Sequence, residues 1–181
     1  MLQTLNGVLT NTSSAEGSSA GYTFANLGNP VSEIGGTFVL QSGKGGQGGA
    51  AGFILFNELA NGLLTPDSAF HMAIFRKGWN LTYYLNNPVP FAAIDDPNRI
   101  TSPTFGSGTF SSPLAADTTL TFSASFNIAA HTVTLRLPDG TTTSPIVLPN
   151  VPSVGHYACW EVFQQDASTD DKPAFLSIYA Q

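Results

Sequence analysis

The chain carries one cysteine, Cys159, in 181 residues. A lone thiol cannot staple a fold, so neither a disulfide framework nor an oxidising compartment is implied. Charge is scarce as well: Asp, Glu, Lys and Arg make up 10% of the residues, against about 25% in an ordinary soluble domain. Ser, Thr, Asn and Gly carry the solubility instead. Such a surface is hydrated but weakly charged, as on proteins that pack into assemblies or meet neutral glycans. The formal net charge is −6, and the six basic residues (Lys44, Arg76, Lys77, Arg99, Arg136, Lys172) are scattered. Nucleic-acid binding, which needs clustered Lys and Arg, is excluded as an expectation. No run approaches the ~18–20 apolar residues of a membrane-spanning helix. The opening MLQTLNGVLTNTSS has neither a basic n-region nor an apolar run of signal-peptide length, so the expected protein is made in a cytoplasm with no Sec route of its own. No segment carries a convincing helical period.

What the chain has is short apolar–polar alternation, cut repeatedly by Gly, Pro, Asn or Ser. In Thr119–Phe126 (TLTFSASF), Leu120, Phe122, Ala124 and Phe126 fall on one side and Thr119, Thr121, Ser123 and Ser125 on the other. Period two marks a strand with one face buried and one wet. A dozen such segments predict an all-β protein, a two-sheet antiparallel sandwich or a barrel. One domain suits the length, which can bury roughly 70% of its unfolded surface without disulfides. Ala50–Asn57 (AAGFILFN) is apolar on both faces and suits a central strand. Ala69–Phe75 and Trp79–Leu85 are joined by Arg76-Lys77-Gly78, a short hairpin connection. Asp95–Leu114 is mostly loop, with room for one or two edge strands. His131–Leu137, Thr141–Val147, Gly155–Phe163 and Pro173–Ala180 complete the set, with a strong turn signal at Pro138-Asp139-Gly140. No fixed-period repeat is present, which disfavours a propeller or solenoid.

Residues 1–20 differ. They are rich in Ser, Asn, Thr and Gly, with three spaced leucines, Leu2, Leu5 and Leu9. The expectation is an extended N-terminal arm (1–20) on a sandwich domain (21–181). Two readings of the arm stand open: packing on its own domain, or docking through its leucines onto a neighbouring subunit.

Gly43-Lys44-Gly45-Gly46-Gln47-Gly48 matches G-x-G-x-x-G in form, but that chemistry needs a helix N-terminus after the loop, and a strand follows. A loop in which Gly45, Gly46 and Gln47 let a glycan or another subunit approach the backbone is the sharper alternative to a plain inter-strand turn. No G-x-S-x-G elbow is present. His71, His131 and His156 lie inside expected strands and read as satisfied strand residues. None of Glu16, Glu33, Glu58 and Glu161 has an acidic partner at the same-face spacing that glycoside hydrolysis would use. Glu161 has the phase to face a groove, yet its nearest downstream acid, Asp166, is in a loop. Asp95-Asp96-Pro97-Asn98 and Asp166…Asp170-Asp171 are oxygen-rich, but without an EF-hand cadence they read as solvated turns. No His/Cys cluster supports zinc. The expectation is a protein without catalytic residues, cofactor or metal.

Strand phase sorts the aromatic residues. Trp79, Leu81, Tyr83 and Leu85 share the apolar face of one strand, and Ala158, Trp160 and Val162 that of another, so both tryptophans are expected in the core. Tyr84 faces the other way. With Asn86 and Asn87 in the following turn, it is the expected exposed contact for a glycan or a subunit.

Several stretches in order, Gly35-Gly36-Thr37-Phe38 before a glycine loop, then AAGFILFNE, FHMAIFRKGWNLTYY, TVTLRLPDGTTT and GHYACWEVF, resemble the concanavalin A-like (laminin-G-like) jelly roll. More narrowly, they resemble the small minor tail or virion proteins of bacteriophages that infect actinobacteria. The resemblance spans about residues 21–180. It implies a two-sheet antiparallel jelly roll with one concave face that often binds carbohydrate. The Glu/Asp strand of the family's glycanases has no counterpart here. The leading expectation is a non-enzymatic virion component, a minor tail protein. Its partners would be other virion proteins, as a homo-oligomer or with neighbouring tail or capsid subunits, and host-surface glycans. Competing readings are a capsid decoration protein, a free lectin, and a glycan hydrolase or lyase.

Overall fold

The structure is a computed structural model and describes residues 2–5, 8–57, 63–64, 70–83, 89–90, 104–148 and 154–181. The strands are β1 (Leu2–Leu5), β2 (Val8–Asn11), β3 (Ser19–Asn26), β4 (Glu33–Gln41), β5 (Gly49–Phe56), β6 (Leu63–Leu64), β7 (Phe70–Phe75) and β8 (Gly78–Tyr83). They continue with β9 (Val89–Pro90), β10 (Thr104–Thr109), β11 (Leu120–Asn127), β12 (Thr132–Arg136), β13 (Ile146–Val147), β14 (Tyr157–Gln164) and β15 (Lys172–Ala180). Seven form one antiparallel sheet, in the order β1-β2-β15-β4-β11-β12-β13. Six form a second, in the order β10-β8-β7-β5-β14-β3, and β6 and β9 make a small ribbon. This is the expected all-β sandwich of jelly-roll type.

The alternation read from the sequence sets which faces meet. Leu120, Phe122, Ala124 and Phe126 of β11 are buried, and the residues between them point outward. The sheets close on each other through aromatic side chains. Phe53 of β5 stacks on Phe122 of β11, with ring centroids 6.3 Å apart and planes 9° apart. Phe38 meets both Phe122 and Phe175. Each such fully buried ring is worth about 1.5–3 kcal/mol of transfer free energy. Trp160 is in this core, as its phase required, and its Nε1–H donates to the Gly35 carbonyl across the sandwich at 3.0 Å. Trp79 is only half-buried, packed against the core from its rim. β8 has only the short edge strand β10 beyond it, so the sheet ends there before the indole is covered. β5 is buried along its whole length, as its two-faced apolar run implied, and lies between β7 and β14.

Residues 2–5, 8–11 and 19–20 take part in the sandwich. β1 and β2 pair as a hairpin, and β2 joins β15 through Thr10–Ala174 and Leu9–Phe175. Leu9 is buried in the core, while Leu2 and Leu5 are placed by backbone only. Asn11 is fully buried. Its Nδ2 donates to Gln164 Oε1, and its Oδ1 accepts from Ser13 N–H and Ser19 Oγ–H. The residue-20 boundary falls inside β3, whose Ser19 and Ala20 already pair with Gln164 and Phe163 of β14.

Candidate functional site

The site grows from the face of the six-stranded sheet that points away from the core. On β14, Trp160 and Val162 point inward, which turns Cys159, Glu161 and Phe163 to the other side. On β7, the core residues Phe70, Met72 and Ile74 turn His71, Ala73 and Phe75 the same way. Antiparallel register then lines up rows across the strands. One row runs Glu161–Gly52–Ala73–Asn80–Ser107, and the next runs Phe163–Ala50–Phe75–Gly78–Thr109. His71 lies beside Ile54 and Thr82 in a third.

The middle of the first row has almost no side chain. A Cβ on Gly52 would meet the Met72 carbonyl oxygen at 1.8 Å, so the close approach of β7 requires glycine there. Over this low floor, His71 Nε2 reaches Glu161 Oε2 across β5. The contact needs one proton between the two atoms, carried by Nε2 or by the carboxyl. Glu161 is 2% exposed. Its second oxygen, Oε1, is buried without a hydrogen-bond partner among the described residues. A hollow of about 220 Å³ opens here, lined by His71, Ala73, Phe75, Asn80, Thr82, Glu161 and Phe163. A wider hollow of about 570 Å³ continues it toward β10, sharing Phe75 and Asn80 and adding Lys77, Trp79, Ser107 and Thr109 among its lining. The mixture is that of a small-molecule site: apolar walls with a few fixed polar groups.

The glycine loop is used elsewhere. Gly46 bridges to Asp170, and a Cβ on Gly46 would lie 2.1 Å from Asp170 Oδ1. Lys44 and Gly46 donate their N–H groups to the Thr169 carbonyl. Asp171 Oδ1 accepts from Gly43 N–H at 3.2 Å, and Arg76 Nε reaches Asp171 Oδ2 at 3.0 Å. Asp170 Oδ2 accepts from Asp166 N–H, and Asp166 Oδ1 accepts from Ser168. The Ser168 hydroxyl and amide hold the Asp166 carboxyl below its ordinary pKa. Gly45 and Gln47 are exposed at the tip, Gly45 with a φ of 107°. The loop thus lies on the acidic turn it faces, and none of Gly43–Gly48 lines the hollow.

Of the other expected contacts, Tyr84, Asn86 and Asn87 lie outside the described residues, as do Asp95 and Asp96. Among the described residues no group of three His, Cys, Asp or Glu is placed to hold a metal ion. The pairing of His71 with Glu161 escapes local reading, because the two residues come from distant strands. The available signal was their shared phase: each is a polar residue on the non-core face of a strand flanking the doubly apolar β5.

A scan against protein-family models finds no match, and a search of curated proteins finds none. Solved structures do match in fold. The carbohydrate recognition domain of Emp46p in its potassium-bound form superposes with a TM-score of 0.64 at 14% identity, over 99% of this chain and 84% of that one. The CBM2 module of the evolved Dit of Lactobacillus casei BL23 phage J-1 gives 0.58 at 11%, over 99% and 78%. Carbohydrate-binding module CBM66 from Bacillus subtilis gives 0.52 at 8%, over 92% and 83%.

Proposed function

We propose that this protein is a non-enzymatic carbohydrate-binding domain whose ligand enters the hollow over Gly52 and Ala73. The observation that carries this reading is the Glu161 carboxylate. One oxygen is held by His71, and the other is buried at the cavity wall with no partner among the described residues. A buried acceptor left open costs stability unless something answers it, and paired sugar hydroxyls are suitable donors. Asn80 and Thr82 supply further polar contacts, and Phe75 and Phe163 supply apolar surface for pyranose C–H faces. The likeness in fold to three domains named for carbohydrate binding agrees with this reading. A single carboxylate, with no second acid in the hollow among the lining residues, lacks the pair that glycoside hydrolysis uses. That favours binding over cleavage.

The setting we propose is a bacteriophage virion, as a minor tail protein contacting host glycans and other virion proteins. The likeness to a phage Dit module supports it. A glycan array probed with the full chain tests the binding reading, with Glu161→Gln and Ala73→Leu alongside. Wild-type signal lost in both variants, each still folded by circular dichroism, is the expected result. Undiminished signal in both would place the ligand elsewhere.

A further inference from the structure

Resting on that reading, we infer that the ligand is an uncharged glycan chain of several rings, laid across the strands from Glu161 on β14 to the edge strand β10. The two hollows share Phe75 and Asn80, so they adjoin, and taken together they make the trough. From β14 to β10 the trough crosses four inter-strand steps, roughly 19 Å in all, which a single sugar ring would leave largely empty. Its floor stays low where Gly52 and Ala73 face each other in one row and Ala50 and Gly78 flank Phe75 in the next. No residue of β3 lines it, so the ring over Glu161 is the first, and the chain leaves over β10.

The charge class follows from which groups face the trough. At the Glu161 end the sole cationic candidate in the lining is His71, already committed to the Glu161 carboxylate. A uronate or sulfate placed there would meet a buried carboxylate, at a cost that rises in such a low-dielectric setting. Along the rest of the floor the polar groups are an amide and hydroxyls: Asn80, Thr82, Ser107 and Thr109. Lys77, in the turn between β7 and β8, is the one cationic side chain in the lining of the second hollow. Such a lining recognises hydroxyl groups, and anions lack a partner over most of its length.

Titration calorimetry of the full chain tests this with cello-, laminari- and malto-oligosaccharides of about one to six rings, and with oligogalacturonates as the acidic counterpart. The expected result is an affinity that rises about tenfold or more from one ring to about four, then levels, in a neutral series. Glu161→Gln weakens every length. Ser107→Phe, on an exposed edge position that a larger side chain can occupy without entering the core, weakens only the longer chains. Length-independent affinity, a Ser107→Phe effect equal at all lengths, or tighter binding of the galacturonates overturns this inference and leaves the carbohydrate reading standing. No binding by any series, together with a blank array, overturns both.

Discussion

Two regions of this protein bury carboxylates, and they treat them oppositely. At the acidic turn, Asp171 is answered on both oxygens, by the Gly43 amide and by Arg76, and Asp170 takes the Asp166 amide. At the trough, Glu161 is answered on one oxygen by His71, and the other is open among the described residues. The first arrangement closes on itself and fastens the glycine loop to the end of β14. The second retains hydrogen-bonding capacity facing a cavity. Burial of an acid is therefore no sign of function by itself; the unused acceptor distinguishes a site from a staple.

The contrast breaks most severely at Asp171. Asp171→Ala leaves the Arg76 guanidinium without its counter-charge and the Gly43 amide without its acceptor. Chemical denaturation should show a loss of about 3–5 kcal/mol, the usual cost of removing one partner from a buried ion pair. A loss under about 1 kcal/mol would mean that the staple is not one. Gly46→Ala probes the same fastening more gently. Its new methyl must displace the Asp170 carboxylate, and overpacking of this kind costs about 1–3 kcal/mol. Both variants should keep glycan affinity under conditions where they are folded.

Trp160→Phe comes next. It removes the Nε1–H bond to the Gly35 carbonyl and should cost about 1 kcal/mol, the usual net worth of one hydrogen bond. Glu161→Gln should change stability by under about 1 kcal/mol, because an amide still accepts from His71 and carries no charge to bury. The same substitution abolishes most glycan binding. That inversion of size between the stability and affinity readouts is the sharpest form of the comparison.

The smallest effect depends on pH. Asp117 accepts from both the hydroxyl and the amide of Ser42, and these bonds, the hydroxyl's first, hold its pKa below the ordinary 3.8. A lowered pKa means that the unfolded state binds protons more readily, so stability is gained above 3.8 and lost as pH falls through the lower folded value. The melting-temperature gap between wild type and Asp117→Asn should be constant above that range and close below it. Asparagine also tolerates the φ of 57° found here. A gap that widens on acidification would contradict this.

Much of the fold was legible in the sequence because each strand reports its own phase. The pattern of β11 and the doubly apolar run of β5 are local properties, and so is the inward turn of Trp160. Legibility fails where partners are remote. Nothing near His71 announces Glu161, and the pair exists only because β5 sets the two strands on either side of Gly52. The same holds for Gly43–Gly48, whose glycines look like a phosphate loop until Asp170 and Asp171 are seen to fill the space above them. Leu9 reads as part of a loose arm until β15 provides its pairing edge.

Amide chemical-shift mapping during titration with a bound neutral oligosaccharide tests the central claim most directly. The account predicts shifts concentrated at Gly52, Ala73, Asn80 and Glu161, with Gly43–Gly48 and Asp166–Asp171 unmoved. Shifts concentrated at the glycine loop and its acidic turn, with the Glu161 row silent, would contradict it.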